Sequence, residues 1–243
     1  MNNNTILTEL LQESSSRAHI NLSDKQLEQF NKYYEMLIER NKVMNLTAIT
    51  EYKDVVIKHF IDSLSLNRVI DLDKNLSLID MGTGAGFPGI PLKIAFPKLK
   101  IVLLDSLNKR VGFLNDVIQE LDLKDITAIH GRAEDIAKNV LYRENFDLCV
   151  SRAVARLASL SEYCIPYVKE GGHFVPYKAG NIEEELKEAK KAIEVLGGKL
   201  IKIDSFILAE SDIERTLVLI KKEKKTPKAY PRSAGKPTKE PIK

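Results

Sequence analysis

Leu76-Ser77-Leu78-Ile79-Asp80-Met81-Gly82-Thr83-Gly84-Ala85-Gly86-Phe87-Pro88-Gly89-Ile90-Pro91 is the stretch that decides the fold. It opens as a short apolar strand over 76–80. A run of glycines makes a tight turn, and prolines follow at early positions of a helix, where a missing N–H costs little. Glycines at such a turn let a ligand approach the backbone closely. A turn of this kind calls for an acid at the end of the next strand. Ile101–Leu104 runs into Asp105, 21 residues past Gly84, a distance that suits a carboxylate accepting from ribose hydroxyls.

Downstream the alternation continues. Asn108–Leu121 is amphipathic through Val111, Leu114, Val117, Ile118 and Leu121, and Ile126–His130 and Asp147–Ser151 read as strands. Leu157–Tyr167 reads as helix and His173–Tyr177 as strand. Ile182, Leu186, Ala189, Ile193 and Leu196 mark a helix that stops at Gly197-Gly198. Leu200–Leu208 and Arg215–Ile220 have no helix between them and are expected to pair antiparallel. Repeated β-α-β units imply a parallel sheet with right-handed crossovers and a ligand at the carboxyl ends of its strands. The fold class is therefore α/β, a mostly parallel seven-stranded sheet with an antiparallel last strand.

Upstream, residues 5 to about 70 read as helical. Ser23 is the expected N-cap of a helix carrying Leu27, Phe30, Tyr34, Leu37 and Ile38, and a second helix covers Asp54 to Leu66. Three parts result: a helical N-terminal extension over 1–70, the α/β domain over 71–222, and a basic tail over 223–243.

Composition narrows the class. The 243 residues are 44% hydrophobic, enough for a sizeable core. No apolar run reaches the ~18 residues of a membrane span. The start, Met1-Asn2-Asn3-Asn4-Thr5, lacks a secretory pattern. Cys149 and Cys164 stand in no metal-binding spacing, so two buried thiols, no metal and a cytoplasmic protein are expected. Residues 221–243 carry nine Lys/Arg against two Glu, or +7, whereas 28 basic and 32 acidic groups leave the preceding 220 residues at −4. A basic tail on an acidic body suggests a polyanionic partner, or else a solvated terminus. With four prolines and no periodicity over 226–243, the tail is expected to be extended and mobile unless a partner orders it.

The glycine turn fits two registers. Gly84-x-Gly86-x-x-Gly89 matches a dinucleotide fingerprint. Asp80-x-Gly82-x-Gly84-x-Gly86 matches the nucleotide loop of methyltransferases. Asp80 favours the second, because its charge repels a pyrophosphate but suits an amino group and a sulfonium. No Tyr-x-x-x-Lys pair offers hydride-transfer chemistry, which leaves an NAD-dependent oxidoreductase as the lesser reading. After the third strand, Ala133 and Glu134 are placed to contact an adenine; Glu134 reads equally as an exposed helix-start carboxylate. After the fourth, Arg152 is placed at the catalytic lip, or in a structural ion pair. His59 and Asp62 read as a packing pair ahead of a catalytic one. Neither an (Asp/Asn)-Pro-Pro-aromatic run nor a Pro-Cys pair is present, so devices for exocyclic amines and pyrimidine carbons are missing. A ring nitrogen such as guanine N7 needs neither device, and its methylation releases no proton. Ribose 2′-O transfer with Lys178 as base stays open at this point.

Asn45-Leu46-Thr47, His59-Phe60-Ile61-Asp62-Ser63-Leu64, Asp80–Pro91, Leu104-Asp105-Ser106 with Lys109-Arg110, Ser151-Arg152-Ala153 and the tail Tyr230–Pro237 together resemble the RsmG family, also called GidB, over almost the whole chain. The resemblance implies a Rossmann-like class I methyltransferase fold, S-adenosyl-L-methionine as cofactor, and N7 of a guanine in 16S ribosomal RNA of the small subunit as target. Asp80, Gly82, Thr83, Gly84, Gly86 and Phe87 are then the expected cofactor loop, with Asp105 near the ribose and Ala133-Glu134 near the adenine. Arg152 is expected to face both cofactor and base, as a positioning group with no general base required. Lys109, Arg110, Arg156, Lys228, Arg232 and Lys236 are the expected RNA contacts, the last three in the tail as a salt-dependent grip. On this reading the chain is a monomer, and deleting 226–243 weakens RNA binding without touching cofactor affinity. A cofactor-free ribosome-assembly factor is the other alternative.

Overall fold

The computed structural model describes residues 3–17 and 19–242. Met1 and Asn2 of the start and Lys243 of the tail, which entered the readings above, lie outside the described residues, as does Ala18. Seven strands, β1 (Ser77–Met81), β2 (Lys100–Asp105), β3 (Ile126–His130), β4 (Phe146–Arg152), β5 (Val168–Ala179), β6 (Gly198–Ile207) and β7 (Glu214–Lys222), form one sheet in the order β3-β2-β1-β4-β5-β7-β6. The first five pair in parallel. The last strand, β7, runs antiparallel to both β5 and β6, as the missing helix between them requires. The order of strands reverses between β1 and β4, which opens a crevice at their carboxyl ends.

The helices are α1 (Asn3–Arg17), α2 (Asp24–Met44), α3 (Tyr52–Val55), α4 (Asp62–Leu64), α5 (Gly89–Ala95), α6 (Asn108–Glu120), α7 (Ala133–Ile136), α8 (Leu157–Cys164), α9 (Glu183–Val195) and α10 (Lys236–Lys239). Strand alternation divides the core by face. Leu78, Leu103, Leu148, Val175 and Leu217 look to one side, where the N-terminal helices, α5 and α6 pack. Ile79, Leu104, Cys149, Phe174 and Val218 look to the other, against α8 and α9. Both cysteines are free and buried, and no cluster of metal-ligating side chains occurs among the described residues. No helix among the described residues is long and apolar enough to cross a membrane.

The N-terminal helices share a core cluster with the sheet. Ser23 caps α2 in a reciprocal capping box with Gln26, a device worth about 1 kcal/mol. The Gln26 amide also donates to Ile94 O and Ala95 O, two carbonyls at the carboxyl end of α5. The buried face of α2 is Leu27, Phe30, Tyr33 and Leu37. Tyr33, absent from the sequence-level face, reaches the glycine turn and donates to Ala85 O at 2.5 Å. Between α3 and α4 the helix widens to π hydrogen bonding over Val56–Ile61. The widened turn buries Ile57 and Ile61 as well as Val56 and Phe60, which a simple 3.6-residue reading does not foresee. Such turns concentrate at functional sites.

The tail departs most from expectation. It is not extended and free but folds back along α7 and α8. Arg143 donates to Thr226 O and Tyr230 O, Ser159 donates to Pro237 O, and Pro231 and Pro237 are buried. Composition indicated mobility. What it missed is that Glu162, on the inner face of α8, supplies a buried acid for Arg232.

Candidate active site

The glycine turn after β1 is built for a close approach. Gly82, Gly84 and Gly86 have φ of 67°, 63° and 104°, the left-handed region that disfavours any side chain. A Cβ on Gly82 or Gly86 would strike protein, at 2.6 Å from Val154 and 2.5 Å from Ile90. A Cβ on Gly84 would meet nothing within 4 Å. Gly84 is thus the glycine whose missing side chain leaves open space. Its N–H donates to Asp105 Oδ2 at 2.9 Å, while Leu107 N–H donates to Asp105 Oδ1 and Arg110 approaches Oδ2 at 3.4 Å.

Asp80 lies fully buried under the turn. Its Oδ2 accepts from the Thr83 hydroxyl and from Gly89 N–H, and Oδ1 has no hydrogen-bond partner among the described residues. Burial pushes its carboxyl up to about 6, held back by the Thr83 and Gly89 hydrogen bonds. An orphaned buried carboxylate oxygen calls for a partner. One unpaired acidic oxygen, one open glycine and one acid at the end of β2 fit a nucleoside that carries an amino group.

Beside the turn lies a cleft of about 530 Å³, whose lining includes Thr47, His59, Gly84, Phe87, Arg152 and Arg215. A larger groove of about 600 Å³ runs between α9 and the β6 edge, but every titratable group along it is exposed, so we place the chemistry in the first. Arg152, at the end of β4, is the hub of the cleft. Its Nη1 donates to Asp62 Oδ2 at 2.8 Å and to Lys58 O at 3.1 Å, and its Nη2 donates to His59 Nδ1 at 3.2 Å. Arg215 Nε donates to the other Asp62 oxygen at 3.0 Å. His59 and Asp62 therefore do not pair with each other; both hold Arg152. Of the five guanidinium donors, Nε and one on Nη2 remain uncommitted among the described residues.

These contacts fix the His59 tautomer. Arginine only donates, so Nδ1 must be the acceptor and the proton sits on Nε2, which donates to Thr47 Oγ1 at 2.9 Å. Thr47 is itself clamped, its backbone N–H and C=O both bonded to the Asn41 side chain. The ring stacks on Phe87 with centroids 4.4 Å apart. Burial first, then the Arg152 charge, lowers the His59 pKa to about 3. Because the folded value lies below the unfolded one near 6.5, the neutral ring's contribution is full above pH 6.5 and is lost as pH falls toward 3. Asp80 acts with the opposite sign between about pH 4 and 6, but it is present with or without His59 and cancels in a comparison. Against His59→Gln, wild type should lose up to about 2 kcal/mol of its advantage between pH 7 and 5, at ~1.4 kcal/mol per unit below 6.5. Urea unfolding at the two pH values measures this, and an unchanged difference would mean that the ring takes its proton as readily in the fold as in the unfolded chain.

The structure brings Gly82, Thr83, Gly84, Phe87, Arg110 and Arg152 to the cleft. Asp80 and Asp105 sit directly behind it through their bonds to the turn. Ala133 and Glu134 lie farther along the same sheet end: Gly131 N–H donates to Asp105 O at 3.1 Å, and α7 starts two residues on. Glu134 is buried, which removes the reading of an exposed helix-start acid. Lys109, Lys228 and Lys236 are exposed, and Arg156 is exposed beside Glu188. Arg232 is spoken for: its side chain and backbone N–H all bond Glu162. Lys178 Nζ donates to Glu185 and to Ala155 O, the reverse of the unpaired, desolvated amine that a base at that position needs. Sequence reasoning missed Arg215, which has no local signal. It arrives because β7 pairs Arg215 with Ala179 of β5, across the sheet from Asp62.

The model of the family described as rRNA small subunit methyltransferase G matches residues 26–217. A protein named ribosomal RNA small subunit methyltransferase G from Lachnoclostridium phytofermentans is 60% identical over 92% of each chain. Proteins of the same name from Acetivibrio thermocellus and Clostridium novyi are 53% and 50% identical, over 97% and 100% of each chain. Among solved structures, an S-adenosylmethionine-dependent methyltransferase from Aquifex aeolicus aligns with a TM-score of 0.51 at 16% identity, over 69% of this chain and 92% of that one. TrmN from Thermus thermophilus aligns with a TM-score of 0.51 at 15% identity, over 66% and 48%. At these identities the structures speak for the fold alone.

Proposed function

The chain belongs to the rRNA small subunit methyltransferase G family, and on that premise we propose that it transfers a methyl group from S-adenosylmethionine to N7 of a guanine in the 16S RNA of the small ribosomal subunit. The observation that carries the cofactor is the junction of Asp80 Oδ1, without a hydrogen-bond partner among the described residues, and Gly84, whose Cβ position is open. When bound, S-adenosylmethionine supplies a methyl group on a positively charged sulfur. Gly82, Thr83, Gly84, Gly86 and Phe87 would form its cradle, Asp80 would offset its positive charge, and Asp105 would accept from its ribose. Ala133 and Glu134 would border its adenine. An NAD-type pyrophosphate would meet the Asp80 carboxylate instead.

The chain's own part in the transfer is alignment. N7 attacks through a lone pair and releases no proton, so no base is required, in keeping with Lys178 being tied to Glu185. Arg152 keeps two donors for guanine O6, and a one-point contact there leaves N7 free. Asp62, between Arg152 and Arg215, reduces the positive charge that a methylated purine would otherwise face. Lys109, Arg110, Arg156, Lys228 and Lys236 would meet RNA phosphates, and the protein would act as a cytoplasmic monomer.

Two results test this reading. S-adenosylmethionine affinity should fall below about pH 6, up to about tenfold per unit, as Asp80 takes its proton. Asp80→Asn should bind weakly without that dependence; an identical pH profile in both would remove Asp80 from the site. Labelled methyl should pass to 16S RNA or to small subunits from cells lacking the modification. Tight cofactor binding with transfer to neither would favour an assembly role.

A further inference from the structure

The basic tail has a use that its charge does not suggest. Its anchor is an ion pair between Arg232 and Glu162, in which the glutamate is fully buried. Glu162 Oε1 accepts from Arg232 N–H and Nε, Oε2 accepts from Nε and Nη2, and Nη2 also donates to Glu240 O. Burying the carboxylate offsets much of the attraction, so such a pair contributes less to stability than to fixing one arrangement over others. What it fixes is the chain three residues on. Gly235, with φ of 80°, donates its N–H to Glu134 Oε1 at 2.9 Å. That is the one hydrogen bond the Glu134 carboxylate makes among the described residues. From the opposite side the Tyr167 hydroxyl donates to Ala133 O at 2.6 Å. Ala133 and Glu134 are thus gripped between the core and the tail, on a turn that hangs from Asp105 through Gly131. Pro237 O on Ser159 and Thr238 on the Tyr163 hydroxyl hold the tail down along α8.

We infer that the C-terminal segment is a strap that positions the adenine side of the cofactor site, with Gly235 and Arg232 as positioning residues acting through Glu134. The inference rests on the reading of Ala133-Glu134 as the adenine wall. It replaces the expectation that the tail serves RNA alone and leaves cofactor affinity untouched. Coupling is reciprocal: if the docked strap favours cofactor, then cofactor favours the docked strap by the same factor.

Amide hydrogen exchange on the full chain, with and without S-adenosylhomocysteine, reads this directly. Protection at 82–86 together with slowing of the 230–240 amides by roughly tenfold, within the usual range for coupled sites, is the expected result. Protection at 82–86 alone would overturn the strap while leaving the proposed function standing. Protection at neither would overturn both. The double variant Glu162→Gln/Arg232→Met removes the anchor without leaving a lone buried charge. It should raise the KM for S-adenosylmethionine by the same factor at unchanged kcat, with the slope of RNA binding against salt kept. An unchanged KM with a flattened salt slope would return the tail to RNA.

Discussion

Replacing Arg152 by alanine is expected to slow methyl transfer by about 10²–10³-fold, the usual cost of one preorganised donor. The expectation comes from where the guanidinium stands. It is held by Asp62, Lys58 O and His59, lines the cleft, and keeps two donors uncommitted among the described residues. A group so held needs no reorganisation when substrate arrives. Lysine should restore little, because a flexible point charge cannot make the Asp62, Lys58 and His59 contacts and still reach a base. Loss of Arg152 leaves Asp62 with Arg215, so the fold should weaken by about 2–3 kcal/mol, less than for an orphaned buried charge. Asp62→Ala strands two cations and should cost about 3–5 kcal/mol. Single-turnover rates and urea unfolding separate the two effects. A full rate in Arg152→Ala would reduce Arg152 to a structural ion pair, the alternative that its sequence context left open.

Gly84→Val should abolish measurable cofactor binding, a loss of more than about 100-fold, while the protein still folds. Valine at a φ of 63° is strained by about 1–2 kcal/mol. Its Cβ nevertheless has no protein atom within 4 Å, so the loss is expected to come from the space proposed for the cofactor. The contrast with Gly86 makes the test specific. There a methyl group would lie 2.5 Å from Ile90 and 2.8 Å from the Tyr33 hydroxyl, and Gly86→Ala should fail through stability first. Calorimetry with S-adenosylhomocysteine, beside a thermal melt of each variant, distinguishes them. Normal affinity in Gly84→Val would move the cofactor off this turn.

Much of this was legible in the sequence because the signals are local. The glycine turn, the acid ending β2 and the N-cap at Ser23 each need only a few consecutive residues. The antiparallel β7 follows from the lack of room for a helix before it. What escaped depends on contacts across the chain. Tyr33 reads as a helix-face neighbour of Tyr34 until the glycine turn packs against it. Arg215 reads as the start of a strand until β7 brings it to Asp62. Arg232 reads as one positive charge among nine until Glu162, 70 positions earlier, buries beneath it. His59 and Asp62 were seen, but their role was mistaken, because the partner they share lies 90 and more residues away.

The atom that receives the methyl group defines the reaction. Small subunits from cells lacking the modification, treated with the protein and methyl-labelled S-adenosylmethionine, should carry label at one guanine of 16S RNA. The strand should break there under the reductive cleavage specific to 7-methylguanosine. Label that resists this cleavage and stays with the ribose after base removal would put the methyl group on a ribose oxygen and rule out N7.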